Sequence, residues 1–110
     1  MLTAELTDGG ETCVLALQGS LDGLTVAELQ KEVEGRLGGS IRQLVLDMSR
    51  LEFIDSSGVG AVVAAFKKTR AHRQGFLVRN LRGQPLEIFR LLRLDRAFVI
   101  DSGSGEDDAP

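Results

Sequence analysis

Between Leu44 and Phe66 the chain passes from an apolar strand into an apolar helix through Asp55-Ser56-Ser57-Gly58-Val59-Gly60. Leu44-Val45-Leu46 is apolar on both faces, as expected at the centre of a sheet covered by helices. The strand is read as Leu44–Asp47, with Met48–Ile54 as a long connection to the helix. That order puts two hydroxyls, with glycines behind them, at a helix N-terminus. The first N–H groups of a helix have no partners within it, and the end carries partial positive charge, so an added anion is tolerated there. Gly58 and Gly60 lack Cβ atoms, which lets another molecule approach the backbone. Ser57 therefore reads as a site that a protein kinase can modify, a switch rather than a nucleophile. A plainer reading stands beside it. Ser56 or Ser57 caps the helix, Ser56 being preferred, with Asp55 as a second cap. Gly58 and Gly60 then serve only helix–sheet packing.

The 110 residues, 43% hydrophobic and 26% charged, suit one domain with one core over residues 1–100. With no Trp or Tyr and five Phe, aliphatic side chains must fill it. Cys13 stands alone in the apolar run Cys13-Val14-Leu15-Ala16-Leu17, so no internal disulfide forms and a reducing compartment fits. Without a basic neighbour in sequence it reads as a buried structural thiol. Met1-Leu2-Thr3-Ala4-Glu5 lacks signal-peptide features. Gly58–Phe66 is far shorter than the roughly 20 residues that span a bilayer. No lipidation motif occurs. The expectation is a cytoplasmic protein with no membrane partner.

The net charge of −3 conceals an asymmetry. Residues 1–55 carry ten acids and four bases, and residues 56–100 two acids and nine bases. Such a dipolar surface steers a charged partner, or the halves neutralise each other on folding. The remaining four acids, Asp101, Glu106, Asp107 and Asp108, lie in residues 101–110, read as a disordered acidic tail.

Leu2, Ala4 and Leu6 alternate with polar residues and suggest an edge strand, which Asp8-Gly9-Gly10 turns into a hairpin with Thr12–Gln18. Thr25 and Glu28 read as a capping box for a helix whose apolar face is Val26, Leu29, Val33 and Leu37, ending at Gly38-Gly39. A second helix runs to about His72 with Val59, Val62, Val63 and Phe66 inward, and Lys67, Lys68, Arg70 and Arg73 complement its dipole. Gly75 breaks it. Phe76-Leu77-Val78 reads as a strand, Pro85 opens a third helix carrying Leu86, Ile88, Phe89, Leu91 and Leu92, and Ala97–Ile100 is a last short strand. The fold class is α/β, a layered structure with a mixed sheet of about four to five strands.

Enzyme chemistry is argued against on spacing. Ser57 and the only histidine, His72, lie on one helix about 22 Å apart by rise, and a base must come within about 3 Å of its nucleophile. Ile54 and Asp55 deny a G-x-S-x-G elbow. Gly58-Val59-Gly60-Ala61-Val62-Val63 has Val63 where a dinucleotide loop has its third glycine, and it follows a long connection rather than a tight strand–helix turn. One His, one Cys and scattered carboxylates form no metal site. No cofactor is called for. Lys67, Lys68, Arg70, Arg73, Arg79 and Arg82 lack interleaved aromatics and read as a solvated face, not a nucleic-acid surface.

Gly19-Ser20-Leu21-Asp22 followed by Thr25, the run Leu44–Ser49 with Phe53–Gly60, and Leu91–Phe98 together resemble the STAS family, and within it the bacterial anti-sigma factor antagonists. The likeness extends nearly to Ile100. Ser20 departs from a common Glu, and Arg93 from a small residue, often Gly, at the end of the third helix. The resemblance implies a STAS-like mixed sheet with helices packed mainly on one face, and partner switching as the activity. The unmodified protein would bind an anti-sigma factor that is also a serine kinase. The kinase would phosphorylate Ser57 with ATP, and a PP2C-type phosphatase would reverse it. Asp22, Thr25, Asp55, Ser56, Gly58, Val59 and Gly60 would form the partner surface. Phosphate adds about −1.5 to −2 charges beside Asp22 and Asp55, and losing about 3 kcal/mol of binding is roughly a hundredfold in affinity. The alternative within the family is an adaptor subunit that does not switch, in a lipid-transport complex or signalling scaffold. A small-ligand or nucleotide-binding domain is a third reading, distinguished by a thermal shift with nucleotide.

Overall fold

A computed structural model describes residues 2–7, 10–37, 39, 41–96 and 99–101. In chain order the elements are β1 (Leu2–Thr7), β2 (Thr12–Leu21), α1 (Val26–Leu37), β3 (Gln43–Ile54), α2 (Ser56–Ala71), β4 (Gly75–Arg79), α3 (Gly83–Leu91), a short 3₁₀ turn (Leu94–Arg96) and β5 (Val99–Asp101). The strands form one sheet in the order β1-β2-β3-β4-β5. β1 is antiparallel to β2 at one edge, and every other pairing is parallel. This is the mixed α/β arrangement expected from alternating strands and helices. The hairpin turn at Asp8-Gly9, the glycine at 38, Ala97-Phe98 and the tail from 102 onward lie outside the described residues.

One core gathers on one face of the sheet. Cys13, Leu15 and Leu17 of β2, Leu44, Leu46 and Met48 of β3, and Phe76 and Val78 of β4 meet Leu29 and Val33 of α1, Ala61, Val62 and Ala65 of α2, and Phe89 of α3. The other face of the central strands buries Val14 and Val45 outside that cluster, and then turns polar at Asp47. Burial pushes the Cys13 thiol up, against the charge of Arg36 and with that of Glu32. A basic neighbour therefore does exist, on the next helix, but desolvation outweighs it.

Two elements differ from the sequence reading. β3 does not stop at Asp47; it runs to Ile54, because the C-terminal half of β2 extends beside it through Ser20–Phe53 and Leu21–Ile54. The connection to α2 is thus one residue, Asp55, and the strand–helix turn is tight. α2 buries Gly58, Ala61, Val62, Ala65 and Thr69, with Val59 and Phe66 packed at the margin. Val63 belongs to neither set. Small residues let the helix axis lie close to the strands, so the inward stripe is narrower than a valine-based reading allows.

Candidate functional site

The parallel register sets the site. Leu21 pairs with Ile54, so the residues that follow each, Asp22 and Asp55, leave the sheet side by side. Asp55, extended at φ −115 and ψ −171, is the N-cap of α2, and its carboxylate accepts from the Gly58 N–H at 3.0 Å. Its own N–H donates to the Leu21 carbonyl at 3.3 Å. Neither serine is the cap, contrary to the sequence reading. A carboxylate one residue earlier already has the helical N–H, which frees the hydroxyls. Ser56 and Ser57 are the first two helical residues, and both are exposed.

The β2–α1 turn is held by its own side chains. The Asp22 carboxylate accepts from the Leu24 N–H at 3.0 Å. The Thr25 hydroxyl accepts from the Asp22 N–H at 2.9 Å and donates to the Ser20 carbonyl at 2.9 Å. Thr25 therefore binds backward to the end of β2, and the expected capping box with Glu28 does not form: the Glu28 N–H goes to the Thr25 carbonyl at 3.1 Å. Thr25 positions the turn; Asp22, half-buried, lies at its start.

Gly58 is buried. A Cβ there would clash with the Leu21 carbonyl oxygen and come 2.7 Å from Ile54 Cγ1, so the close approach at this glycine is made by the protein itself. Gly60 is exposed, and a Cβ on it would meet nothing within 4 Å. Val59 is partly buried against the core. Of the residues read from sequence, Asp22, Asp55, Ser56, Ser57 and Gly60 share one solvent-facing corner, while Gly58 and Thr25 support it from beneath.

Sequence reasoning missed three parts of this corner. Gln84 of α3 clasps both backbone groups of Ile54, donating to its carbonyl at 2.9 Å and accepting from its N–H at 2.9 Å. A groove of about 190 Å³ opens beside Ser56, lined by Ile54, Asp55, Val59, Ile88, Leu91 and Leu92. Leu24 in the turn is 93% exposed and Leu91 75%, giving the corner an apolar rim. The aliphatic content of α3 signalled the groove, but nothing in the pattern showed that Leu91 and Leu92 face outward. A larger cleft of about 660 Å³, lined by Gln18, Arg50, Glu52 and Arg82 among others, contains none of the residues read above as the modification site or partner surface.

Ser57 and His72 stand at opposite ends of α2 and do not pair: Ser57 is its second residue, and His72 follows its last, with Nδ1 2.9 Å from the Lys68 carbonyl oxygen. Among the described residues no group of three His, Cys, Asp or Glu could hold a metal, and no helix is long and apolar enough to cross a membrane.

Known proteins share this architecture. BtrV of Bordetella bronchiseptica, provisionally named an anti-sigma factor antagonist, is 27% identical over 90 residues, covering 82% of this chain and 76% of BtrV. An anti-sigma factor antagonist from Mycobacterium paratuberculosis superposes with a TM-score of 0.77 at 25% identity, over 92% of this chain and 86% of that one. The phosphorylated form of the Bacillus cell fate determinant SpoIIAA gives 0.74 at 23% identity, over 94% of each chain. The family model described as "Mlab, STAS domain" matches residues 4–101. By that match, which spans nearly the whole length, the chain belongs to the STAS domain family.

Proposed function

We propose that this chain is an anti-sigma factor antagonist that changes partners when Ser57 is phosphorylated. The observation that carries the reading is the exposed Ser57 hydroxyl in the first turn of α2, left free because Asp55 supplies the cap. The names of BtrV and of the Mycobacterium paratuberculosis protein support it from outside. In this reading the unmodified corner, with Asp22, Asp55, Ser56, Val59 and Gly60 around Ser57, docks an anti-sigma factor that is a serine kinase. Transfer of phosphate from ATP to Ser57 then adds about −1.5 to −2 charges where Asp22 and Asp55 already stand. The helix N-terminus tolerates the dianion. The docked partner meets new volume and repulsion, and leaves. A PP2C-type phosphatase restores the starting state, and the exchange takes place in the cytoplasm.

Ser57→Ala is expected to bind the kinase whether or not ATP is present, and Ser57→Asp to bind about a hundredfold more weakly, a difference of about 3 kcal/mol. Isothermal titration of the two variants checks this, and equal affinities would remove the reading. A second reading, a STAS adaptor that does not switch, draws on the family description, which names Mlab rather than an antagonist. ATP-dependent phosphate on Ser57, found by mass spectrometry, argues against that adaptor role.

A further inference from the structure

Gly23 stands in the turn between β2 and α1, and neither backbone nor packing explains why it is a glycine. Its φ lies outside the left-handed range, so an L side chain is sterically allowed there. Among the described residues, a Cβ built on Gly23 meets one atom within 4 Å: Ser57 Oγ, at 3.9 Å. Gly58 is the contrast, since a Cβ there would run into the Leu21 carbonyl and Ile54.

The turn holds this relation in place. Asp22 and Thr25 flank Gly23, and their side chains tie Leu24 N–H, Asp22 N–H and the Ser20 carbonyl into one short network. Asp55 N–H, bonded to Leu21, ties the start of α2 to the same strand end. A side chain at 23 therefore points where the turn directs it, towards the hydroxyl of Ser57. At 3.9 Å a methyl group is in ordinary contact with an unmodified serine. A phosphorylated serine is different, because phosphorus and three oxygens extend beyond Oγ.

We infer that Gly23 is a clearance position: the missing side chain leaves the volume that a phosphate on Ser57 occupies, and residue 23 sets whether that modification is accepted. This rests on the reading of Ser57 as the modified residue. It also separates Ser57 from its neighbour, since Ser56 presents no atom within 4 Å of the same point.

The test uses the full chain with phosphoserine genetically encoded at position 57, in the wild-type background and in Gly23→Ala and Gly23→Val. Unmodified, the three are expected to melt within about 2 °C of one another. Phosphoserine at 57 is expected to lower the melting temperature of Gly23→Val by about 4 °C or more beyond its effect on wild type, with Gly23→Ala between. The ³¹P resonance is expected to move in the same order. Phosphoserine at 56 is expected to have one effect in all three backgrounds. If phosphoserine at 57 costs the same in all three, or if unmodified Gly23→Val already melts well below wild type, the inference is overturned. Failure of wild type to accept phosphate on Ser57 from its kinase and ATP would instead remove the switching reading, and the melting temperatures would still decide the clearance.

Discussion

Asp47 shows how much one carboxylate is asked to do outside the site. Burial alone would raise its pKa, but the Ser49 N–H at 2.9 Å, the Asn80 amide at 3.2 Å, the Ser49 hydroxyl and the Arg79 charge outweigh it, and the net direction is down. Arg79 Nε lies 3.7 Å from Asp47 Oδ2, an ion pair without a hydrogen bond. A group whose folded pKa is depressed contributes stability that is present above its unfolded pKa and lost as pH falls through the folded value. Asp47→Asn is therefore expected to be less stable than wild type at pH 7, with the gap closing below about pH 4; urea denaturation at pH 7 and pH 3 measures it. Gly58 makes the opposite kind of demand, for absence rather than charge. Because the clash on adding a Cβ is with backbone, it cannot be relieved by a rotamer change. Gly58→Ala is expected to cost about 1–3 kcal/mol, read from denaturation midpoints, whereas Gly60→Ala is expected to be neutral or slightly stabilising.

Among the elements, the end of α3 carries a visible strain. Arg93 sits at φ +59 in the left-handed region, where a β-carbon is unfavourable. It is exposed, and the helix has already ended at Leu91. Arg93→Gly is expected to raise stability by about 0.5–1 kcal/mol, a gain of a few degrees in melting temperature. The departure at this position was legible in the chain, and the backbone angle explains why a small residue suits it. Much else was legible too. The α1 face of Leu29, Val33 and Leu37, the short β4 and the order of strands and helices follow directly from periodicity. The far half of β3 did not, because its buried positions Met48, Leu51 and Ile54 are three apart rather than two. The β2–β3 pairing is irregular there, with register shifts between Ala16 and Gln18 and between Gly19 and Ser20. An irregular ladder erases the alternation by which a strand is recognised. The cap was given to a serine, with Asp55 only second, for a related reason. Three residues in a row, Asp55, Ser56 and Ser57, are all good caps, and only the strand's true end selects among them.

In the whole molecule, acidic and basic halves meet through specific contacts. Lys68 Nζ reaches Glu34 Oε2 at 2.8 Å, joining α2 to α1, and Arg79 faces Asp47 between β4 and β3. Part of the charge asymmetry is thus consumed internally. A new charge at the Ser57 corner falls on an exposed residue outside the core. Ser57→Asp is accordingly expected to melt within about 3 °C of wild type. Its ¹H–¹⁵N shift changes are expected to be confined to residues 22–25 and 54–60; changes spread through β4 or α3 would mean a global rearrangement. The Gln84 clasp on Ile54 gives this corner a further property. With β2 and α3 both holding the last residue of β3, just before the cap, the backbone that presents Ser57 has little motion left to surrender when something binds it. The ordering entropy of association then falls on the visitor, and a partner that arrives already shaped should be captured quickly and held with few contacts.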